Sequence, residues 1–217
     1  MTLPEHNNES PESVKTAHDY LLTLGAISVA FAGVERATHY PHGRPENDAE
    51  HSFHLGLSAV EMAATYYPHL NTGLVAQFAY VHDLPEVYAG DTPTFGITQE
   101  ARSEKERLEK AATERLLNEL PPHTAQLLAR YEDQIEPEAI FGRFIDKLLP
   151  AIVHASAPDA NRDIFKKTFN LSSLEELEAS REARTAVLKA MCPEEDLKFI
   201  HRVSDLVSET SRNRIFS

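Results

Sequence analysis

Apolar residues recur at three- and four-residue intervals along most of the chain, the spacing of an α-helix with one buried face. From Ser13 to Val34 they fall on Val14, Ala17, Tyr20, Leu21, Leu24, Ile27, Ala30, Phe31 and Val34, which predicts a first helix. The pattern breaks over Glu35 to Asp48, where Pro41, Gly43 and Pro45 stand among polar residues, and this stretch reads as a loop long enough to be functional. A second helix is predicted from near Asp48 to about Tyr67, ending before Pro68. Leu74 to Val87 is apolar on almost every side, as suits the central helix of a bundle. After the breaker Ala89-Gly90-Asp91-Thr92-Pro93, the run Gln99 to Leu120 is amphipathic and laced with opposite charges four apart, the mark of a solvated helix flank. Pro121-Pro122 stops it. His123 to Tyr131 and Glu138 to Ala155 continue the helical spacing, with a kink expected at Pro150, and Leu174 to Met191 and Glu194 to Ser208 add two helices.

No alternating run demands a sheet and no segment repeats. The 8 glycines are scattered, which excludes both a dinucleotide-binding fingerprint and a phosphate-binding glycine loop. The expectation is an all-α, single-domain helical bundle, with residues 1–11 as a loose polar tail and residues 12–217 as the domain. At 217 residues, 41% hydrophobic and 25% charged, the chain can bury a core without covalent staples.

Charge narrows the function. A net charge of −13 argues against a nucleic-acid polymer as partner, because phosphate-binding surfaces need excess Lys and Arg. An anionic small molecule stays open if a bound cation and one or two arginines supply positive charge locally. The single Cys192 can form neither an internal disulfide nor a cysteine zinc site, which points to a reducing compartment and to His and carboxylates for any metal. Residues Met1 to Pro11 lack the basic and apolar run of a secretory signal, and the longest apolar stretch, Leu21 to Val34, is about fourteen residues where a bilayer needs about twenty. A soluble, cytoplasmic protein is expected.

Chemistry concentrates in His82-Asp83-Leu84-Pro85-Glu86-Val87-Tyr88-Ala89-Gly90-Asp91-Thr92-Pro93, where ionisable residues interrupt the end of the most apolar helix. Burying them is costly unless a metal or one another satisfies them. On a continuous helix, His82, Asp83 and Glu86 share one face. The adjacent pair His18-Asp19 lacks that setting and reads as a surface pair. Upstream, His51 opens an amphipathic helix within Pro45-Glu46-Asn47-Asp48-Ala49-Glu50-His51-Ser52, and downstream Asp146 interrupts the apolar run Phe144-Ile145-Asp146-Lys147-Leu148-Leu149. Each has a bland reading too: His51 as a helix-start residue, Asp146 as partner of Lys147 or Arg143, Glu86 as a helix-end charge.

Taken in order, a His, then a His-Asp pair, then a distant Asp, these residues resemble the HD-domain metal-dependent phosphohydrolases, and most closely the branch that includes bacterial 5′-deoxynucleotidases. The branch's P-E-N-x-A-E-H-S segment falls on Pro45 to Ser52 and its H-D-x-x-E-x-x-x-G-D-x-P segment on His82 to Pro93. The resemblance covers about residues 20–155 and leaves about 156–212 as C-terminal helices. It implies an HD-domain bundle around one divalent ion (Mn, Co, Fe, Zn or Mg) held by His51, His82, Asp83 and Asp146. It further implies Asp91 as the base that orients the attacking water, Glu86 as a partner holding water or a ligand histidine, and Arg36 as the grip on the substrate phosphate.

The branch carries a Trp beside that arginine, whereas this chain has Ala37 and no Trp at all. A 5′-(deoxy)nucleoside monophosphate is the first expected substrate. Removal of triphosphate from a deoxynucleoside triphosphate stays open, with Lys105 or Arg107 in reach of a longer phosphate chain, and so does a non-catalytic nucleotide sensor. His54 is expected to pack or support a ligand, His39 and His42 to lie in the loop, and His69, His123, His154 and His201 to be structural. The apolar faces carrying Leu171, Leu174, Leu177, Leu197, Ile200, Val203 and Leu206 either close the core or form a homodimer face.

Overall fold

The computed structural model describes residues 10–92, 98–168 and 194–216. The first helix, α1 (Pro11–Phe31), starts where Ser10 accepts a hydrogen bond from the Ser13 amide at 3.1 Å, satisfying a donor the helix cannot pair internally. Only Ile27 and Phe31 of α1 are buried, while Val14, Leu21 and Val29 stand exposed. The helix meets α2 and α4 and leaves most of its length in solvent.

The next stretch departs from the expected loop. β1 (Glu35–Tyr40) and β2 (Arg44–Asn47) pair antiparallel, with Glu35 opposite Asn47 and Tyr40 opposite Arg44. The chain reverses through His42 and Gly43, both at positive φ (71° and 76°). Asn161 clamps the hairpin from outside: its side chain accepts from the His39 amide at 2.9 Å and donates to the His39 carbonyl at 2.8 Å. One buried side chain thus satisfies both backbone groups of an edge residue.

Helix α2 (Asp48–Tyr66) follows β2 without a gap. Asn47 and Glu50 form a reciprocal cap, with the Glu50 amide 3.0 Å from Asn47 Oδ1 and the Asn47 amide 3.2 Å from Glu50 Oε2. Helix α3 (Thr72–Val81) ends six residues before the expected Val87. Pro85 is the reason: it has no amide hydrogen to give the Val81 carbonyl, and its ring crowds that carbonyl. The chain turns through His82–Pro85, with the Leu84 amide bonding Val81 instead at 3.2 Å, and makes one turn of helix, α4 (Glu86–Ala89).

Helices α5 (Gln99–Glu119), α6 (Pro122–Asp133) and α7 (Pro137–Ser156) match expectation, and α7 runs through Pro150. Helix α8 (Pro158–Thr168), inside the stretch expected to hold C-terminal helices though not delimited there, supplies Asn161, and α9 (Glu194–Phe216) runs past Ser208. The helix expected over Leu174–Met191 lies outside the described residues, as do Leu171 and residues 1–9 of the expected tail. Among the described residues no helix is long and apolar enough to cross a membrane.

Two apolar clusters hold these elements. Leu55, Ala59, Val75, Phe144, Leu149 and Ile200 join α2, α3, α7 and α9, while Phe31, Phe78, Val81, Leu116, Leu128 and Tyr131 join α1, α3, α5 and α6. Helix α3 contributes to both, which is why its sequence is apolar all round. Phe144 is completely buried two positions before Asp146, so its packing fixes that part of α7. Replacing it with Ala removes ring contacts that neighbouring helices cannot recover. Phe144→Ala is expected to lower unfolding free energy by about 3–5 kcal/mol in urea titrations, and a loss under about 1 kcal/mol would contradict this packing.

Candidate metal centre

Three elements bring the four expected ligands together. His51 lies in the first turns of α2, positioned by the Asn47–Glu50 cap; His82 and Asp83 sit in the turn that Pro85 forces after α3; Asp146 comes from the middle of α7. Each offers one ligand atom, and these atoms all lie within 4.8 Å of one another. His51 Nε2 is 2.9 Å from Asp146 Oδ1 and 3.7 Å from Asp83 Oδ2, and His82 Nε2 is 2.9 Å from Asp83 Oδ2 and 3.9 Å from Asp146 Oδ1. The two imidazoles and Asp146 are buried. The break in α3 does not undo the expected convergence, because the turn aims both side chains at α7.

The histidine hydrogen bonds test whether a cation fits here. His82 Nδ1 is 3.0 Å from the Ala79 carbonyl, which can only accept, so Nδ1 carries the proton. In the neutral ring Nε2 is then the lone-pair nitrogen, buried and facing carboxylates, with Asp83 Oδ2 at 2.9 Å. A lone pair against a carboxylate is repulsive unless a cation stands between them, and a divalent metal meets that need. Tyr131 packs edge-on against this ring, with centroids 6.0 Å apart.

Behind His51 stands a carboxylate that the sequence reading passed over. Glu46, almost wholly buried on β2, accepts from Thr38 Oγ1 at 2.5 Å and from the Tyr40 hydroxyl at 3.1 Å, and its Oε2 lies 3.7 Å from His51 Nδ1. A carboxylate on the far side of an imidazole directs the Nδ1 hydrogen toward itself and leaves Nε2 for a metal. Burial opposes charge on Glu46, but His51 and Thr38 hold its carboxyl below the usual range.

The electrostatics follow from crowding. Burial opposes charge on His51, yet its contacts with Asp146 and Glu46 push the imidazole up to about 9. Burial also opposes charge on Asp83 and Asp146; contacts with His82 and Arg36 at the first, and with Lys147 and His51 at the second, hold both carboxyls well below the usual range. Asp146 divides its oxygens, Oδ1 toward His51 and Oδ2 toward Lys147 Nζ at 2.7 Å. The Lys147 contact expected from the sequence is therefore present alongside the one to His51.

Beside this group lies a second one. Arg36, on β1, places Nη1 at 2.8 Å from Asp48 Oδ1, 2.8 Å from Asp83 Oδ2 and 3.4 Å from Glu86 Oε2. Glu86 therefore holds the arginine and not a ligand histidine. Burial, reinforced by Asp83, pushes Glu86 up to about 10, and burial raises Asp48 to about 6 against the pull of Arg36. Asp48, fully buried one turn before His51, was not singled out from the sequence. Asp91, partly buried, follows Gly90, which turns the chain at φ 73° and ψ 152°, a region only glycine enters readily. Its charge acts on Arg36 and Glu86, though it does not join the groups that could share one ion.

Other expected residues stand apart. Lys105 donates to the Thr92 carbonyl at 2.9 Å and pairs with Glu109 at 2.9 Å, and Arg107 pairs with Glu104 at 2.6 Å. His18 and Asp19 form an exposed pair at 3.0 Å. His54 is half-buried outside the ligand group, His39 bonds the Ala37 carbonyl through Nδ1 at 3.0 Å, and His42 is exposed at the hairpin turn.

A profile of the HD domain family matches residues 33–186. The chain is 33% identical to the 5′-deoxynucleotidase HDDC2 of Xenopus laevis over 109 residues, which is 48% of this chain and 51% of that protein. It is 28% identical to the Bos taurus 5′-deoxynucleotidase HDDC2 over 159 residues, 66% of this chain and 76% of that protein. The chain thus matches about half the length of the frog relative. The crystal structure of a predicted metal-dependent phosphohydrolase from Magnetospirillum magnetotacticum MS-1 superposes with a TM-score of 0.66 at 24% identity, covering 91% of this chain and 95% of that one. The PH0347 protein from Pyrococcus horikoshii OT3 gives 0.58 at 18% identity, covering 88% and 99%. These likenesses show a shared fold.

The charge arrangement gives a pH test. A group whose folded pKa is raised stabilises the folded state fully below its unfolded pKa and loses that contribution as pH rises through the folded value. His51 goes from 6.5 to about 9, and Glu86, raised from 4.5 to about 10, acts in the same direction. Metal-stripped protein is therefore expected to lose thermal stability as pH rises from 6.5 to 9. Saturating Mn(II), which replaces the proton on His51, should flatten that slope. Melting curves across this range check it, and a slope of opposite sign in the stripped protein would contradict the assignment.

Proposed function

The chain belongs to the HD domain family, and on that premise we propose that it is a metal-dependent phosphohydrolase that releases phosphate from a 5′-(deoxy)nucleoside monophosphate. The observation that carries this reading is the buried Nε2 of His82 facing carboxylates within a group of four ligand atoms that lie within 4.8 Å of one another. His51, His82, Asp83 and Asp146 would hold one divalent ion, with Mn, Co, Fe, Zn and Mg all compatible with imidazole and carboxylate donors. When bound, such an ion makes water a nucleophile near neutral pH and draws charge from a phosphate oxygen.

The chain's own residues would do the rest. Arg36 engages its three carboxylates through Nη1 alone, so the other edge of its planar fork is left to meet a phosphate oxygen. Those carboxylates hold it rigidly, and orientation paid for in folding is not paid again on binding. Asp91, beyond the Gly90 turn and fixed through the Lys105–Thr92 bond, would orient the attacking water and take its proton. Water oxygen bonds to phosphorus, the bond from phosphorus to the 5′ oxygen breaks, and that oxygen takes up a proton as the nucleoside leaves. Glu86, pushed up to about 10 without metal, would hold Arg36 in place.

A monophosphate is favoured over a triphosphate because the two cations expected to reach a longer phosphate chain are already engaged: Lys105 fastens Thr92, and Arg107 pairs with Glu104. The names of the frog and cow relatives point the same way. Ala37, beside Arg36, offers no ring to stack on a base, which suits a loose preference among bases.

Metal-stripped protein incubated with deoxynucleoside mono- and triphosphates, with Mn, Co, Zn or Mg added in turn, is expected to release nucleoside and orthophosphate from monophosphates only. Asp83→Ala should reduce turnover to background in the same assay. Tripolyphosphate among the products would move the assignment to triphosphohydrolase. Nucleotide binding without turnover under any metal would leave a sensor.

A further inference from the structure

Asp83 belongs to two groups of ligand atoms. With His51, His82 and Asp146 it forms the proposed metal centre; with Asp48 and Glu86 it forms a second set, also within 4.8 Å. One oxygen, Asp83 Oδ2, serves both: it is 2.9 Å from His82 Nε2 and 2.8 Å from Arg36 Nη1. A carboxylate shared between adjacent cation sites is what a two-metal centre requires, its ions standing about 3.5–4 Å apart.

In this chain the second set is filled from within. Arg36 Nη1 lies 2.8, 2.8 and 3.4 Å from the three carboxylates, and only 14% of its side chain is exposed. Asp48, fully buried, keeps Oδ2 without a hydrogen-bond partner, so the arginine does not exhaust the ligand capacity of the set. We infer that Arg36 is the resident second cation of the centre, and that its guanidinium restricts an otherwise two-metal carboxylate framework to a single divalent ion.

The physical case is one of charge and space. Three carboxylates this close and this buried cannot all stay ionised without a cation among them. A guanidinium supplies one positive charge in a plane, and because it never deprotonates it cannot become a ligand itself. A metal that entered would meet that fixed charge at hydrogen-bond distance from every oxygen it needed. Removing the guanidinium while keeping side-chain bulk leaves three oxygens facing an uncompensated hole, a set that hard divalent ions bind.

This inference rests on the reading of the four-ligand group as a metal centre, and metal stoichiometry separates the two. Metal-stripped protein titrated calorimetrically with Mn(II) is expected to bind one ion per chain. Arg36→Met is expected to bind two, with an exchange-coupled electron paramagnetic resonance spectrum, because the ions would share Asp83. Arg36→Met combined with Asp48→Asn should return to one ion and an uncoupled spectrum. Arg36→Gln repeats the measurement should Arg36→Met fail to fold. Two ions in the unsubstituted protein, one ion in the folded Arg36 variant, or a second ion indifferent to Asp48→Asn would each overturn the inference while leaving the proposed function standing. No ion in the unsubstituted protein would remove the metal centre itself, and the inference with it.

Discussion

Asp83 Oδ2 stands 2.9 Å from His82, 3.7 Å from His51 and 2.8 Å from Arg36, and each of those residues comes from a different part of the chain. Through this one oxygen the turn after α3 is tied to α2 and to the hairpin. The tie is electrostatic in a place with little water, where removing one partner of a charged group costs about 3–5 kcal/mol because the remainder stays buried and uncompensated. The apolar clusters on both faces of α3 bring the helices together, but they do not specify how far α2 is rotated or where the hairpin lies. The charges add that constraint, since Arg36 must stand beside Asp48 and Asp83, and His51 beside Asp146.

The hairpin shows how closely scaffold and site are joined. Its backbone is fastened by Asn161 on one side, and on the other Thr38 holds Glu46, which reaches His51. It also carries Arg36. A two-stranded sheet has little stability of its own, so these strands persist because a buried amide and a buried carboxylate anchor them. The same anchoring sets the position of the Arg36 guanidinium against its three carboxylates.

Much of this was legible from the residues. The helices were, since apolar spacing follows which face is buried, and the four ligand residues stood out because each interrupts or adjoins an apolar run. The hairpin was not. Strands of six and four residues, one holding Pro45 and joined through an irregular register, carry no alternation that can be told from a loop. Glu46 and Asp48 were hidden for a related reason: charges just ahead of a helix usually cap it in solvent, and only the turn at His42 and Gly43 folds these two inward. The early end of α3 was written in Pro85, yet the spacing of His82, Asp83 and Glu86 looked equally good on a continuous helix. Helix α1 misled in the other direction, its apolar positions promising a buried face that only Ile27 and Phe31 supply.

Arg36 was expected only as a grip for phosphate, and its surroundings give that role a reason. A monophosphate carries its charge on one phosphorus, so a divalent ion on one side and a guanidinium on the other compensate it within a single coordination distance. Further cations would serve a longer phosphate chain, and here Lys105 and Arg107 are committed to Thr92 and Glu104. An arginine locked by three carboxylates loses no side-chain freedom when phosphate arrives, whereas a mobile surface cation would. On the proposed reading, the carboxylates beyond those of the metal centre hold Arg36 rigidly beside it, and charge balance in the folded protein and recognition of a small dianion would be the same structural problem.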